Sequence, residues 1–172
     1  MGRVPTSISV VIDNSLSMTQ RDALGDYLVQ ARDLAAALAE SLEPGDELVL
    51  VPTAPTENVQ PASFSTAEPA LDAIEQLEAA PGARTLPNAI AQAASLLEAA
   101  ANLNREIVVV TDAQQATLVD STGIGIPDAL ALPLLPVGAG RSANVAVTDA
   151  RDERRIVAAG QPVRLSATLL NY

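Results

Sequence analysis

Three oxygen-bearing side chains follow the first apolar run of the chain at alternate positions. The run Ile8–Ile12 ends at Asp13, and Ser15 and Ser17 come next, each two residues further on. In an extended loop alternate residues point the same way, so these three side chains can face one ligand. Carboxylate and hydroxyl oxygens are hard donors, which Mg²⁺ prefers, and Mn²⁺ or Ca²⁺ accepts them as well.

The composition excludes several classes of function. The chain has 172 residues, of which 48% are apolar, and a net charge of −11, which argues against nucleic-acid binding. It contains no cysteine and no histidine, so thiolate metal sites and Ser-His or Cys-His catalysis are excluded. No uninterrupted apolar segment reaches the ~18 to 20 residues of a membrane span.

Apolar runs of strand length alternate with helical spacing along residues 6–138. This alternation predicts an α/β fold with a Rossmann-like, doubly wound, mostly parallel sheet. Apart from Ser9 and Glu106, the runs at 8–12 and 106–110 are apolar, so we expect them side by side in the centre of the sheet. The predicted strands are 8–12, 47–52, 106–110 and 132–137, and the predicted helices are 21–42, a segment from 65 or 66, 86–101 and about 116–130.

The pattern changes after residue 138. Residues 144–172 read as short alternating strands separated by a charged turn and a Gly-Gln-Pro turn. We therefore predict two domains, 6–138 and 144–172, with the second being the start of a truncated, Ig-like β-sandwich module. Its strands are expected to pair with one another, with a neighbouring chain or with the edge of the first domain.

Two further candidates belong to the same edge of the predicted sheet. The strand at 106–110 is followed by Thr111 and then by Asp112. Thr85 directly precedes the helix at 86–101. In an open parallel sheet ligands bind outside the carboxyl ends of the strands, so Asp13 and both of these residues can converge there. The predicted metal site is Asp13, Ser15, Ser17, Thr85 and Asp112, with no catalytic residue and no organic cofactor.

Each of these segments also has a plainer explanation. Serine and aspartate cap helices, so the segment at 13–17 could be an N-cap, and Thr85 could cap the helix that follows it. Asp112 could be an ordinary polar residue at a strand end. The three segments together favour the metal site.

Three segments resemble the von Willebrand factor type A (VWA) family. "DNSLS" at 13–17 resembles the Asp-x-Ser-x-Ser signature, "GART" at 82–85 resembles the loop with the family's threonine, and "VVVTDA" at 108–113 resembles the strand that ends in Thr-Asp-Gly. One departure is Ala113, where the family often has glycine, which should alter the loop more than the ligands. The resemblance implies a Rossmann-like fold and a metal-ion-dependent adhesion site.

In that site, by resemblance, the hydroxyls of Ser15, Ser17 and Thr85 are direct ligands. Asp13 and Asp112 hold metal-bound waters or, in some states, the metal itself. Because the inner ligands are mostly neutral, the cation keeps charge for a carboxylate from a partner protein's Asp or Glu.

A finer resemblance is to bacterial membrane-anchored VWA proteins of the Bat (aerotolerance) type. "LNREIVVVTDAQQ" at 103–115 and the tail at 144–172 carry it. It implies a bacterial envelope protein whose VWA domain lies on the extracytoplasmic face of the membrane and is anchored only through helices outside this segment. It also implies that the protein works with a MoxR-type ATPase system.

Two other functions compete with the binding module. A strand-end aspartate could be the nucleophile of a haloacid-dehalogenase-like phosphatase. Ser15 stands where those enzymes have a second acid, and the chain has no lysine, so we expect no enzyme. The alternative that remains is a structural spacer with a vestigial metal site.

Overall fold

The structure is a computed structural model that describes residues 3–54, 56, 63–113, 130–138, 145–152 and 165–171. The chain divides into two compact units, residues 1–139 and 140–172. The predicted domains 6–138 and 144–172 stay predictions as functional units. The helix predicted at about 116–130 lies almost wholly outside the described residues.

The first unit alternates strands and helices. Its described elements, in chain order, are strand β1 (Thr6–Ile12), the short strands β2 (Arg21–Asp22) and β3 (Gly25–Asp26), helix α1 (Tyr27–Glu40), strand β4 (Glu47–Pro52), helices α2 (Ala67–Glu75) and α3 (Leu86–Glu98), and strands β5 (Asn104–Thr111) and β6 (Leu134–Pro136). A single-turn 3-10 helix, Leu16–Thr19, follows β1.

The described part of the chain forms a four-stranded parallel sheet in the order β4-β1-β5-β6. This confirms the prediction of a Rossmann-like α/β fold and of β1 and β5 as neighbours inside the sheet. Every residue of β1 is buried, as the mostly apolar run 8–12 indicated, and this burial includes the polar Thr6, Ser7 and Ser9.

Alternate residues of β1 enter two separate cores. Val10 and Ile12 pack on the side of α1 and α2, where an alanine stripe on α1 (Ala31, Ala35, Ala39) contacts the sheet. Val11 packs on the opposite side against α3. This two-sided burial is the reason that the strands carry apolar residues at successive positions.

The helix predicted at 21–42 begins later than the spacing suggested. Residues 21–26 form the antiparallel pair β2–β3, and α1 starts only at Tyr27. Asp22 accepts hydrogen bonds from the Leu24 amide and the Gln30 side chain, both at 2.8 Å. Gly25 has a φ of +110°. Local side-chain bonds and a left-handed glycine therefore replace the first helical turns, and the prediction was wrong there.

Smaller differences concern the ends of elements. Helix α3 ends at Glu98 instead of continuing to residue 101, and β6 is shorter than the predicted strand 132–137. No described helix has the length and apolar character that crossing a membrane requires.

A buried carboxylate fastens the opposite, amino-terminal edge of the sheet. Asp46 accepts hydrogen bonds from the Thr6 amide at 2.7 Å, the Glu43 amide at 3.0 Å and the Arg3 guanidinium at 2.7 Å. Burial raises the pKa of Asp46, but these hydrogen bonds outweigh burial and hold the pKa below its usual value.

The second unit contains an antiparallel pair of strands, β7 (Val145–Asp152) and β8 (Leu165–Asn171). Their register shifts between Val147 and Asp149, which marks a bulge. The strands pair with each other, as predicted for this segment. That they open a β-sandwich module stays a prediction.

Candidate metal centre

The register of the sheet brings three polar residues to one level at its carboxyl edge. Ile12 pairs with Pro52 of β4 and with Val110 of β5, so the next residues are Asp13, Thr53 and Thr111. The Asp13 amide donates to the Val110 carbonyl at 2.8 Å, and the Thr53 amide donates to the Ile12 carbonyl at 3.0 Å. We call Asp13, Thr53 and Thr111 the edge row.

The Asp13 carboxylate organises this row. It is fully buried, and its Oδ1 accepts hydrogen bonds from the Ser15 amide at 3.0 Å and the Thr53 hydroxyl at 3.3 Å. Its Oδ2 accepts one from the Thr111 hydroxyl at 3.0 Å. A carboxylate has about four lone-pair positions, so these three bonds from described residues leave room for one metal ion or one metal-bound water.

The two serine hydroxyls lie side by side. Ser15 Oγ and Ser17 Oγ are 3.0 Å apart, and both residues are half-buried, whereas Leu16 between them is exposed. In an octahedral Mg²⁺ shell with bonds of about 2.0–2.1 Å, neighbouring ligand oxygens lie about 2.9 Å apart. The pair therefore fits two adjacent positions around Mg²⁺.

Ser15 does not act as a helix cap. It occupies the N-cap position of the 3-10 helix, but within the described residues its hydroxyl makes no capping hydrogen bond and contacts Ser17 instead. The plain capping explanation for the segment 13–17 is therefore wrong for this serine.

Thr85 is fastened to the same edge through its neighbour. The Arg84 amide donates to the Thr53 carbonyl at 2.9 Å, which ties the loop before α3 to the edge row. Thr85 is half-buried at the N-cap position of α3, yet its side chain makes no capping hydrogen bond in the part of the chain that the structure describes. Its hydroxyl is thus not used in the way the plainer explanation requires.

Asp112 follows the edge row on the β5 side and is half-buried. The loop turns immediately afterwards, because Ala113 has a φ of +54° and its amide donates to the Thr111 hydroxyl at 3.2 Å. A left-handed backbone conformation favours glycine. This explains why glycine suits the position in the Thr-Asp-Gly pattern and why Ala113 is strained there.

The five predicted residues thus lie on segments that meet at one edge, whereas their action as metal ligands stays a prediction. Among the described residues no group of three or more His, Cys, Asp or Glu side chains is placed to hold a metal ion. The candidate centre contains two carboxylates, so it depends on its hydroxyl oxygens. The donor set fits a hard cation such as Mg²⁺.

Sequence reasoning missed three residues that build the centre. Thr53 and Thr111 donate to Asp13, and Asn14 joins three segments through its side chain. Both threonines could have been found from the sequence, because each is a polar residue at the carboxyl end of an apolar strand. The Asn14 side chain is buried and bonds to the backbone of Ala54 and Glu78, contacts that no pattern in the sequence indicates.

Comparison with known proteins identifies the family. Residues 8–115 match the model of the von Willebrand factor type A domain, which covers more than half of the chain. The chain belongs to the VWA family. VWA domains are generally protein-interaction modules, and this VWA domain shares their sheet and helix arrangement. No curated protein matches the chain.

Solved structures with the same fold include a bacterial membrane protein and two pilus proteins. An aerotolerance-related membrane protein from Bacteroides fragilis is 19% identical with a TM-score of 0.59, and the match covers 97% of this chain and 81% of that one. The vWF domain of the type V pili tip protein Mfa5 from Porphyromonas gingivalis is 17% identical with a TM-score of 0.52, over 65% of this chain and 39% of that one. A mutant PilB minor pilin from Streptococcus sanguinis is 15% identical with a TM-score of 0.51, over 63% and 30%.

The chain therefore spans less than half of both pilus proteins. At these identities the similarities show the fold alone.

Proposed function

We propose that this VWA domain binds a partner protein through a divalent cation, Mg²⁺ first, at the centre formed by Asp13, Ser15, Ser17, Thr85 and Asp112. The observation that supports it best is the pair of serine hydroxyls 3.0 Å apart on a loop anchored by a buried carboxylate. When bound, the cation would supply a positive charge beside the carboxylates of Asp13 and Asp112.

The chemistry of the donors favours an acidic partner. Hydroxyl ligands are neutral, so a cation held by the serines and threonine keeps enough charge to attract an Asp or Glu side chain. The chain carries a net charge of −11, so without a cation its field repels such a partner. Binding should therefore depend on the metal.

The setting that we propose is the extracytoplasmic face of a bacterial envelope protein, with a MoxR-type ATPase system as a functional partner. The sequence resemblance of residues 103–115 and 144–172 to Bat-type proteins is the basis of this proposal, and the fold shared with a Bacteroides aerotolerance-related membrane protein over 97% of this chain agrees with it. Membrane attachment would come from segments outside the chain described here. We propose that the domain acts by binding and not as an enzyme.

Thermal unfolding with and without metal tests the centre. A ligand present at a hundredfold excess over its Kd stabilises the folded state by about 2.7 kcal/mol, which raises Tm by about 5 to 11 °C for a domain of this size. We expect this rise with Mg²⁺ or Mn²⁺ over EDTA in the wild type. The double variant Ser15→Ala/Ser17→Ala should lose it.

Ser95→Ala is the matched control, because Ser95 is exposed on α3 away from the edge row, and it should keep the full rise. A wild type that Mg²⁺ and Mn²⁺ leave unchanged in Tm would contradict the metal centre and favour the spacer. If metal stabilises the protein but envelope extracts yield no partner that requires Mg²⁺ and the two serines, the binding role is wrong.

A further inference from the structure

A buried pair of polar residues joins the segments that carry the proposed ligands. We call Asn14 and Thr53 the Asn14–Thr53 clamp. The Asn14 side chain donates to the Ala54 carbonyl at 3.1 Å and to the Glu78 carbonyl at 3.0 Å, and it accepts from the Ala54 amide at 2.7 Å. Its backbone carbonyl accepts from the Ala80 amide at 2.9 Å.

Thr53 continues this network towards the carboxylate. Its hydroxyl lies 3.2 Å from the Asn14 amide, from which it accepts, and it can donate to Asn14 Oδ1 at 3.2 Å or to Asp13 Oδ1 at 3.3 Å. Its carbonyl accepts from the Arg84 amide. The clamp therefore connects the serine loop, the end of β4 and the loop that leads to Thr85.

The hydrogen bonds described above already use the polar side-chain atoms of both clamp residues. Asn14 is 0% exposed and Thr53 is 1% exposed. Whatever they contribute to the centre must act through the segments that they hold.

We infer that Asn14 and Thr53 are positioning residues of the metal centre, which hold the serine loop and the Thr85 loop in register before any cation binds. This inference rests on the proposed function. The ligand hydroxyls lie on segments that are distant in sequence, so a cation alone would have to order both loops as it binds. A clamp made during folding removes that cost from binding, which is preorganisation.

A purely structural role is the competing explanation, because any buried polar group needs partners. Such a role would lower stability without changing metal affinity in the folded protein. The two explanations therefore differ in the affinity and in the local order of the loops.

The test uses Thr53→Val, which keeps the branched shape and removes the hydroxyl, and Thr53→Ser, which restores the hydroxyl. Ser9→Ala is the matched control, because Ser9 is also fully buried on the sheet and donates to the Ala93 carbonyl at 3.3 Å, away from the edge row. If Thr53→Val does not fold, Thr53→Ala takes its place with the same expected outcomes.

The first readout is amide hydrogen exchange in EDTA. Thr53→Val should speed exchange of the Ser15, Ala80 and Arg84 amides relative to the amides of β1 and β4, whereas Thr53→Ser and Ser9→Ala should not. The second readout is Mn²⁺ affinity of the folded protein. Removal of a residue that orients metal ligands typically weakens affinity about 10- to 100-fold, which we expect for Thr53→Val, with values close to wild type for the other two variants.

The outcomes separate the two proposals. If the wild type binds neither Mg²⁺ nor Mn²⁺, the proposed function fails, and the exchange readout still decides whether the clamp orders the loops. If Thr53→Val exchanges and binds like the wild type, the clamp inference is overturned. An equal loss of affinity in Thr53→Val and Ser9→Ala would also overturn it, since general destabilisation would then explain both.

Discussion

Asp13 should contribute to stability even when no metal is present. In a fully buried site its carboxylate accepts hydrogen bonds from the Ser15 amide and the Thr111 hydroxyl, and it shares the single proton of the Thr53 hydroxyl with Asn14 Oδ1. Asp13→Ala therefore removes two hydrogen bonds and part of a third. At about 1 kcal/mol for each bond, the loss is about 2 to 3 kcal/mol. For a domain of this size it corresponds to a fall in Tm of about 4 to 12 °C.

Asp13→Asn should be milder. The amide keeps the shape and one acceptor oxygen, which the Ser15 amide can still use. Its NH₂ group would face the Thr111 hydroxyl, which can accept a hydrogen bond but then loses the partner for its own proton. We expect a cost of about 1 to 2 kcal/mol.

Chemical denaturation in EDTA and again in Mg²⁺ separates these contributions. Both variants should lose the stabilisation by metal, because both lack the negative charge, but only Asp13→Ala should be strongly destabilised in EDTA. Asp13→Ala with the wild-type free energy of unfolding in EDTA would refute the hydrogen-bond reasoning. Full stabilisation of Asp13→Asn by Mg²⁺ would refute the need for the carboxylate.

Two further predictions concern regions away from the centre. Because the folded pKa of Asp46 is depressed, its contribution to stability is fully present above its unfolded pKa of about 4 and is lost as pH falls through the folded pKa. The difference in unfolding free energy between wild type and Asp46→Asn should therefore be constant above about pH 5 and shrink below about pH 4. A difference that grows on acidification would contradict this. Gly138→Ala should cost more than Gly82→Ala by about 1 to 3 kcal/mol in urea denaturation: both glycines have positive φ, but an added Cβ at Gly138 would lie 2.4–2.7 Å from the buried Tyr27 ring, whereas Gly82 has nothing within 4 Å. Equal costs would show that Tyr27 moves aside.

The central part of the fold could be predicted because its residues carry a single, consistent signal. Apart from Ser9, the run 8–12 is apolar, as expected of a strand covered on both sides, and 48–52 and 107–110 repeat that pattern. The start of α1 could not be predicted from spacing. Leu24 continues the helical pattern, yet it is 79% exposed because Asp22 and Gly25 build a turn instead.

The candidate centre was predicted only where its residues form a motif. Asp13, Ser15 and Ser17 are neighbours in sequence, so their spacing is visible. Thr53 and Thr111 are separated from Asp13 by 40 and 98 positions, and only the strand register brings their hydroxyls to the carboxylate. No local pattern encodes such a contact.

The alignment of the edge row depends on the number of residues in each strand that leads to it. β1 is paired on both sides, so one residue inserted between Thr6 and Ile12 would turn each later side chain to the opposite core and move Asp13 out of line with Thr53 and Thr111. A substitution such as valine for isoleucine leaves that alignment intact. Relatives that keep the centre are therefore expected to vary in residue identity along β1 but not in its length, so that insertions and deletions accumulate elsewhere in the chain.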